Sequence, residues 1–288
     1  MSDTLITAPQ LAARLGKPGL VVVDCRFDLG RPDWGEQEYA HARIPQARYA
    51  HLDRDLSGAV SATTGRHPLP ARDRLAELFG QWGIDARTLV VAYDQGPGAF
   101  AARLWWLLRW LGHWRIAVLD GGLAAWQAQR LALEEGPPSA SVSRPTRLEV
   151  GLNEHMVAHT AEIERMVTEG VLARGERVLV DARSAERFAG RDKSLDPIAG
   201  HVPGACNYPF TDNLSAGRFL PAAALRARFE PLLAGRSAET VICMCGSGVT
   251  ACHNLLALEV AGFSGARLYA GSWSEWIRAP RRPVVCEP

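Results

Sequence analysis

The chain repeats its own pattern, and this repeat constrains its fold more than any other feature. Each half contains an apolar stretch that ends in Asp-x-Arg, at residues 20–26 and 178–183. Further matches follow in the same order along the chain and pair residues 41–47 with 199–205, 89–94 with 240–245, and 119–126 with 269–276. Collinear matches predict two copies of one domain. We place these domains at residues 1–136 and 151–288, joined by a Pro- and Ser-rich linker at residues 137–150.

Within each copy, short apolar strands alternate with helical segments. Residues 240–244 form an apolar run, and an amphipathic segment follows at residues 250–261. In the first copy, a Trp- and Leu-rich helix is expected at residues 99–111. This alternation predicts an α/β fold in which each copy is a mainly parallel sheet with helices on both faces. Functional sites in such sheets lie beyond the C-terminal ends of the strands.

Composition excludes several classes of function. Hydrophobic residues make up 47% of the 288 positions, which is typical of globular proteins. The 32 Lys and Arg residues against 31 Asp and Glu leave a net charge of +1, so we expect neither nucleic acid nor a membrane as a partner. The first residues show no secretory signal, and six scattered cysteines do not form a disulfide framework. We therefore expect a cytoplasmic protein.

The turn Cys-Gly-Ser-Gly-Val-Thr at residues 245–250 is the strongest candidate site. It places a thiol between an expected strand and an expected helix. Backbone N–H groups of such a turn can surround an anion, and the helix N-terminus adds partial positive charge. Both effects favour the thiolate, so Cys245 is predicted to be a nucleophile. Cys243 lies inside the strand and is instead typical of a small buried apolar residue.

The first copy has Asp94 at the position that corresponds to Cys245. It therefore lacks the nucleophile, and we expect it to be catalytically inactive. Its expected contribution is to supply side chains to the site of the second copy.

A metal site is the competing interpretation of the cysteines. Cys243, Cys245, Cys252 and His253 lie close together in sequence. However, the paired C-x₂-C spacing of structural zinc sites is absent. We therefore expect no metal and no cofactor.

These motifs together resemble the rhodanese family in its tandem-domain form. The turn at residues 245–250 is similar to that of 3-mercaptopyruvate sulfurtransferases, whereas thiosulfate-preferring members usually have Arg-Lys at positions 246 and 247. The resemblance implies a sulfurtransferase that moves sulfur from 3-mercaptopyruvate through a Cys245 persulfide and releases pyruvate. The implied acceptor is a small thiol, cyanide or a thioredoxin-like protein. The implied cradle for the persulfide consists of Gly246, Ser247, Gly248, Val249 and Thr250.

The resemblance also implies a proton relay. In mercaptopyruvate-type relatives, a Ser two residues after the Cys acts with an Asp and a His from the first domain. The matching residues here are Ser247, Asp53 and His67. Without the resemblance, Ser247 would be interpreted as a turn residue, Asp53 as a surface charge and His67 as a loop histidine.

Substrate binding is implied by a further match. Arg187 corresponds to the family arginine that holds the substrate carboxylate, a role that suits the forked guanidinium. Many relatives have a second arginine in the following loop, for which this chain has no clear match. Arg191 and Lys193 are the candidates for its place.

Three residues are expected to be structural. Asp181 and Arg183 are predicted to form an ion pair at a strand end. Thr250 is predicted to cap the helix that follows the Cys245 turn.

Three alternatives remain open from the sequence. The first is a thiosulfate sulfurtransferase, which has the same chemistry with another donor. The second is a Cys-dependent phosphatase, although that class needs an Arg six residues after the Cys, where this chain has Ala251. The third is a sulfur carrier without catalytic activity.

Overall fold

A computed structural model describes residues 4–137, 145–149, 151, 153–192 and 195–287. The chain divides into two compact units, of which the first comprises Met1–Gly58, Leu69–Asn153 and Ala216–Arg218, and the second comprises Ala59–Pro68, Glu154–Ser215 and Phe219–Pro288. Residues 59–68 therefore belong to the second unit, although they lie in the first half of the sequence. Residues 138–144 and 150 of the expected linker lie outside the described residues, and the domain boundaries stay a prediction.

The first half of the chain alternates strands and helices. The strands are β1 (Leu5–Ile6), β2 (Leu20–Asp24), β3 (Ala42–Arg43), β4 (Arg48–Tyr49), β5 (Leu89–Tyr93), β6 (Ile116–Leu119) and β7 (Glu134–Glu135). The helices are α1 (Ala8–Ala12), α2 (Trp34–His41), α3 (Arg72–Gln81), α4 (Ala99–Trp110) and α5 (Gly122–Ala128).

Five of these strands form one parallel sheet in the order β1-β6-β5-β2-β4. Its central strands are mostly apolar, as expected for a parallel sheet that is covered on both faces. Tyr93 of β5 belongs to a core cluster with Leu11 of α1 and Trp126 of α5. Val90 and Ala92 alternate with it and are also fully buried, and α4 packs against β5.

The second half repeats this pattern. Its strands are β8 (Val157–Ala158), β9 (Val178–Asp181), β10 (Ala205–Asn207), β11 (Leu214–Ser215), β12 (Arg218–Phe219), β13 (Val241–Met244) and β14 (Arg267–Tyr269). Its helices are α6 (Thr160–Thr168), α7 (Ala185–Ala189), α8 (Ala222–Leu233), α9 (Thr250–Val260) and α10 (Ser272–Trp276). Within the described residues, no helix is both long enough and apolar enough to cross a membrane.

The second sheet is also parallel and has the order β10-β9-β13-β14-β8. When this order is written from the other end, as β8-β14-β13-β9-β10, each strand occupies the same place as its equivalent in the first sheet, β1-β6-β5-β2-β4. The predicted α/β fold with two tandem domain copies is therefore confirmed. Because all strands run in the same direction, the residues that follow β9 and β13 lie at the same edge of the sheet.

The helix starts differ between the two copies. Thr7 caps α1, because its side chain and that of Gln10 each accept a backbone N–H of the other residue. Thr160 does not cap α6 in this way. Thr160 is the first residue of α6, and its Oγ1 donates to the Tyr269 hydroxyl at 3.0 Å.

The repeated Asp-x-Arg motif forms a buried ion pair in each unit. Arg183 Nη2 lies 2.7 Å from Asp181 Oδ2 and donates to the Gly200 carbonyl at 2.9 Å. Arg26 pairs with Asp24 in the same way, at 2.6 Å. The prediction that Asp181 and Arg183 are structural is confirmed, because the arginine ties a strand end to the loop that precedes β10.

Candidate active site

Cys245 lies directly after β13 and five residues before α9, as the sequence predicts. The residue is only 2% exposed, so water has little access to its sulfur. The Gly248 N–H donates to Cys245 Sγ at 3.1 Å. A backbone donor aimed at the sulfur stabilises negative charge there.

A second turn, which contains Ser272 and Trp273, holds the Cys245 loop in place through two hydrogen bonds. The Cys245 N–H donates to Ser272 Oγ at 3.0 Å, and the Cys245 carbonyl accepts from the Trp273 N–H at 3.0 Å. Ser272 is fully buried and has a φ of +53°, which is strained for a residue other than glycine. Such strain persists where surrounding contacts impose it. Sequence reasoning did not name Ser272, although it lies in the repeated motif at residues 269–276.

Of the two glycines in the loop, Gly248 has less space for a side chain than Gly246. Its φ is +79°, and an added Cβ would lie 2.4 Å from the Ala270 carbonyl oxygen. We expect Gly248→Ala to lower the free energy of unfolding by about 1–3 kcal/mol and to lower transfer activity, because the loop must shift. Gly235→Ala is the matched control, since Gly235 has a φ of +78° and no atom within 4 Å of its added Cβ. Equal losses of stability in the two variants, measured by thermal denaturation, would contradict this expectation.

Ser247, two residues after Cys245, contacts His67. His67 Nδ1 lies 2.7 Å from Ser247 Oγ, and both side chains are buried. A proton can pass between two groups at this distance. Asp53 lies in the first unit, where it is exposed and its backbone N–H donates to His51 Nδ1 at 3.2 Å. Its role in the relay stays a prediction.

The segment that contains His67 is anchored within the second unit. The Arg66 N–H donates to Ser274 Oγ at 3.0 Å, and Arg278 Nε donates to the Thr64 carbonyl at 3.2 Å. The Ser274 N–H in turn donates to the Gly246 carbonyl at 2.9 Å. Ser274 therefore connects the cysteine loop with residues 59–68, which fixes His67 relative to Cys245.

Two guanidinium groups flank Gly246, the residue that follows Cys245. An added Cβ on Gly246 would lie 2.8 Å from Arg187 Nη2 and 2.9 Å from Arg66 Nη2. The structure thus places Arg187 next to the loop, and its role in holding a substrate carboxylate stays a prediction. Arg66 was missed by sequence reasoning. The one feature of the sequence that could have indicated Arg66 is its position directly before His67. Its distance from Cys245 along the chain gives no indication that the two regions are in contact.

Asp196 joins the two arginines. Its Oδ2 accepts from Arg187 Nη2 at 2.6 Å, and its Oδ1 accepts from Arg66 Nη1. The Asp196 side chain is only 6% exposed. This carboxylate holds both guanidinium groups in fixed positions next to Gly246. It was also not named from the sequence.

The other predicted substrate ligands lie elsewhere or outside the described residues. Arg191 Nε donates to Glu186 Oε2 at 2.7 Å in an exposed ion pair. Lys193 lies outside the described residues. Their roles in binding stay predictions.

The expectation that Thr250 caps α9 is wrong. Thr250 is the first residue of the helix, and Val249 occupies the cap position without a side-chain hydrogen bond. Gly246, Ser247, Val249 and Thr250 stay predicted members of the persulfide cradle. The Gly248 N–H is the donor that contacts the sulfur directly.

The remaining thiols near the loop are buried. Burial raises the pKa of Cys243 well above its usual value, which keeps this thiol protonated. Cys252 Sγ donates to the Gly248 carbonyl at 3.3 Å. In the part of the chain that the structure describes, no group of three or more His, Cys, Asp or Glu side chains is arranged to hold a metal ion.

The equivalent loop of the first unit holds a carboxylate. Asp94 Oδ1 accepts from the N–H groups of Gly96 and Gly98 at 3.0 and 2.9 Å. Its Oδ2 accepts from Phe100 and Ala101 at 2.9 and 3.3 Å. Burial raises the pKa of Asp94, and these four backbone donors oppose that effect. The first loop therefore has the geometry of an anion cradle without a nucleophile.

Comparison with known proteins agrees with this architecture. A protein of Pseudomonas aeruginosa named "Probable 3-mercaptopyruvate sulfurtransferase" is 51% identical over 287 residues, which cover 99% of this chain and 98% of the relative. A Mycobacterium tuberculosis protein provisionally named thiosulfate sulfurtransferase SseB is 37% identical over 285 residues, which cover 98% and 96%. The crystal structure of SseA from Escherichia coli, described as a 3-mercaptopyruvate sulfotransferase, superposes with a TM-score of 0.78 at 31% identity and covers 94% of this chain and 99% of that one.

The family assignment follows from both halves of the chain. The sequence profile of the rhodanese-like domain matches residues 7–129 and again residues 161–279. The two matches correspond to the two parallel sheets with the same strand order. The chain therefore belongs to the rhodanese-like domain family, in the tandem form that the sequence resembles.

Proposed function

We propose that this protein is a sulfurtransferase that takes sulfur from 3-mercaptopyruvate, holds it as a persulfide on Cys245 and passes it to a thiol or to cyanide. The observation that carries the choice of donor is the contact of 2.7 Å between His67 Nδ1 and Ser247 Oγ, in the loop that contains Cys245. When 3-mercaptopyruvate loses its sulfur, the carbon fragment leaves as an enolate and must receive a proton, which these two side chains can supply. The name of the Pseudomonas aeruginosa relative supports the same donor.

In the first step, the Cys245 thiolate attacks the sulfur of 3-mercaptopyruvate. A sulfur–sulfur bond forms, and the carbon–sulfur bond of the donor breaks. Its electron pair leaves with the carbon fragment as the enolate of pyruvate. The Gly248 N–H, which already donates to the sulfur of Cys245, stabilises negative charge on the nucleophile and on the persulfide.

The enolate then needs one proton to become pyruvate. Ser247 Oγ is the candidate donor in the loop, and His67 Nδ1 can return a proton to it. Both groups are buried, so the transfer does not depend on bulk water. Asp53 is a proposed third member of this relay.

The carboxylate of the donor needs a cationic partner. Arg187 and Arg66 both present guanidinium nitrogens next to Gly246. A guanidinium can hold a carboxylate through two parallel hydrogen bonds, which orients the donor as well as binding it. We assign this role to both arginines.

In the second step, the acceptor attacks the outer sulfur of the persulfide. The sulfur–sulfur bond breaks, and Cys245 leaves as a thiolate. Cyanide would become thiocyanate, and a thiol would become a persulfide. A thioredoxin-like protein thiol would react in the same way.

Thiosulfate is a second candidate donor, because one observation favours it. The sequence lacks the Arg-Lys pair at positions 246 and 247, yet Arg66 and Arg187 supply two cations at the same place. The Mycobacterium tuberculosis relative is named for thiosulfate. With this donor, sulfite leaves with the electron pair and needs no proton.

Ser247→Ala separates the two donors. We expect this variant to lower kcat with 3-mercaptopyruvate by about 10²-fold, because general acid catalysis contributes rate enhancements of this order. The rate with thiosulfate should change little, because its leaving group takes no proton. The measurement is steady-state kinetics of wild type and variant with each donor and the same acceptor.

Two results would contradict the proposal. A wild-type kcat/KM that is higher for thiosulfate than for 3-mercaptopyruvate would favour the second candidate. An equal loss with both donors in Ser247→Ala would mean that Ser247 supports the loop and does not transfer a proton.

A further inference from the structure

Asp196 has an unusual position for a carboxylate in a site that binds anions. It lies between Arg187 and Arg66 and bonds to both, at the place where those arginines reach Gly246. Anion-binding sites normally avoid a fixed negative charge, because it repels the ligand. Its presence here therefore needs a physical explanation beyond holding the two side chains.

The charge balance of the cluster formed by Arg66, Arg187 and Asp196 supplies this explanation. Two guanidinium groups and one carboxylate leave a single net positive charge beside Cys245. The carboxylate uses Nη2 of Arg187 and Nη1 of Arg66. Among the described residues, no hydrogen bond engages Nη2 of Arg66, which faces Gly246 and is available to a ligand.

We propose that Asp196 determines donor specificity by matching the site to a donor with one negative charge. This inference rests on the proposed function and extends it to the choice between donors. A 2-oxo acid with one carboxylate has a single negative charge, which the one uncompensated positive charge of the site can neutralise. A dianion such as thiosulfate brings a second negative charge close to the Asp196 carboxylate, and this repulsion lowers its affinity.

The burial of Asp196 strengthens the effect. Its side chain is only 6% exposed, so water screens its charge less than it screens a surface carboxylate. The two hydrogen bonds also keep the carboxylate from turning away when a donor binds. The repulsion is therefore a fixed property of the site.

Asp196→Asn is the central variant of the test, because it removes the charge and nearly keeps the shape. The ratio of kcat/KM for thiosulfate to kcat/KM for 3-mercaptopyruvate should rise at least about tenfold, as expected for one charge interaction at short range. Asp196→Glu keeps the charge and should leave this ratio close to that of wild type.

Glu176→Gln is the matched control. It removes one negative charge from the same unit, but Glu176 pairs with Arg174 on the surface and precedes β9, at the sheet edge opposite to Cys245. The ratio should not change in this variant. Thermal denaturation of all variants shows whether each one is folded at the assay temperature.

A binding measurement keeps the test independent of turnover. Iodoacetamide alkylates Cys245, and a bound anion slows that reaction. Pyruvate, a monoanion, should protect wild type at lower concentration than sulfate, a dianion. In Asp196→Asn, the concentration of sulfate that gives half protection should fall about tenfold relative to that of pyruvate.

The outcomes separate the two proposals. If wild type itself prefers thiosulfate, the proposed function fails. A second outcome is that wild type prefers 3-mercaptopyruvate while Asp196→Asn changes neither the ratio of kcat/KM for the two donors nor the ratio of half-protecting concentrations of sulfate and pyruvate. In that case, only the role of Asp196 is wrong. If Glu176→Gln shifts the ratios as much as Asp196→Asn, the effect comes from overall charge, and the inference is also overturned.

Discussion

Cys245→Ser is expected to abolish sulfur transfer with every donor. Serine keeps the shape of the side chain, but its hydroxyl is not ionised near neutral pH and cannot form a persulfide. The loss in kcat should be at least about 10³-fold, as for other enzymes that lose a covalent nucleophile. The measurements are steady-state transfer to cyanide and mass spectrometry of the protein after incubation with donor alone, in which wild type should gain one sulfur atom.

Cys243→Ser is the matched control, because it makes the same atomic change two residues away. Cys243 is fully buried in β13, and burial raises the pKa of its thiol. The variant should largely keep its activity, although a buried hydroxyl costs about 1–3 kcal/mol of stability when it finds no partner. Both variants should therefore be compared below their thermal midpoints. Equal loss of transfer in the two would show that Cys245 is not the nucleophile.

The arginine pair gives the second large effect. Arg187→Ala and Arg66→Ala should each raise KM for 3-mercaptopyruvate about 10- to 100-fold, because each removes a hydrogen bond to a charged group worth about 1.5–3 kcal/mol. The double variant should lose more than either single variant. Steady-state kinetics measure these changes, with thermal denaturation as a check on folding, because loss of either arginine also removes a partner of Asp196.

Two further arginine variants make this prediction specific. Arg174→Ala removes an exposed arginine of the same unit and should not change KM. Arg191→Ala tests the expectation drawn from the sequence. If Arg191→Ala raises KM and Arg66→Ala does not, Arg191 is the second substrate arginine despite its exposed pairing with Glu186.

The features that the sequence predicted well depend on local pattern. The alternation of apolar and helical segments predicted β13 and α9, and glycines placed Cys245 on the turn between them. Thr250 shows the limit of such reasoning. A threonine before a helix usually caps it, but here Val249 has a helical φ and ψ, so the helix begins one residue earlier than a Thr250 cap would allow.

The features that the sequence could not predict depend on contacts between distant residues. Arg66 reaches Gly246 because residues 59–68 belong to the second unit, and no periodicity in the sequence indicates this. Asp196 lies in a loop without repeating pattern, so only its two hydrogen bonds reveal its position. Ser272 holds Cys245 through a strained backbone that composition would not suggest.

The cradle around Asp94 also distinguishes the two halves of this protein. A carboxylate that accepts four backbone N–H groups acts as a built-in ligand, which is covalently attached and never leaves. In the first copy, the cradle is thus occupied by the protein's own carboxylate. In the second copy, Cys245 has a shorter side chain, and its sulfur accepts the Gly248 N–H. The two copies therefore use the same kind of loop in two ways: in the first the backbone donors hold a carboxylate of the protein itself, and in the second a backbone donor holds a thiol sulfur.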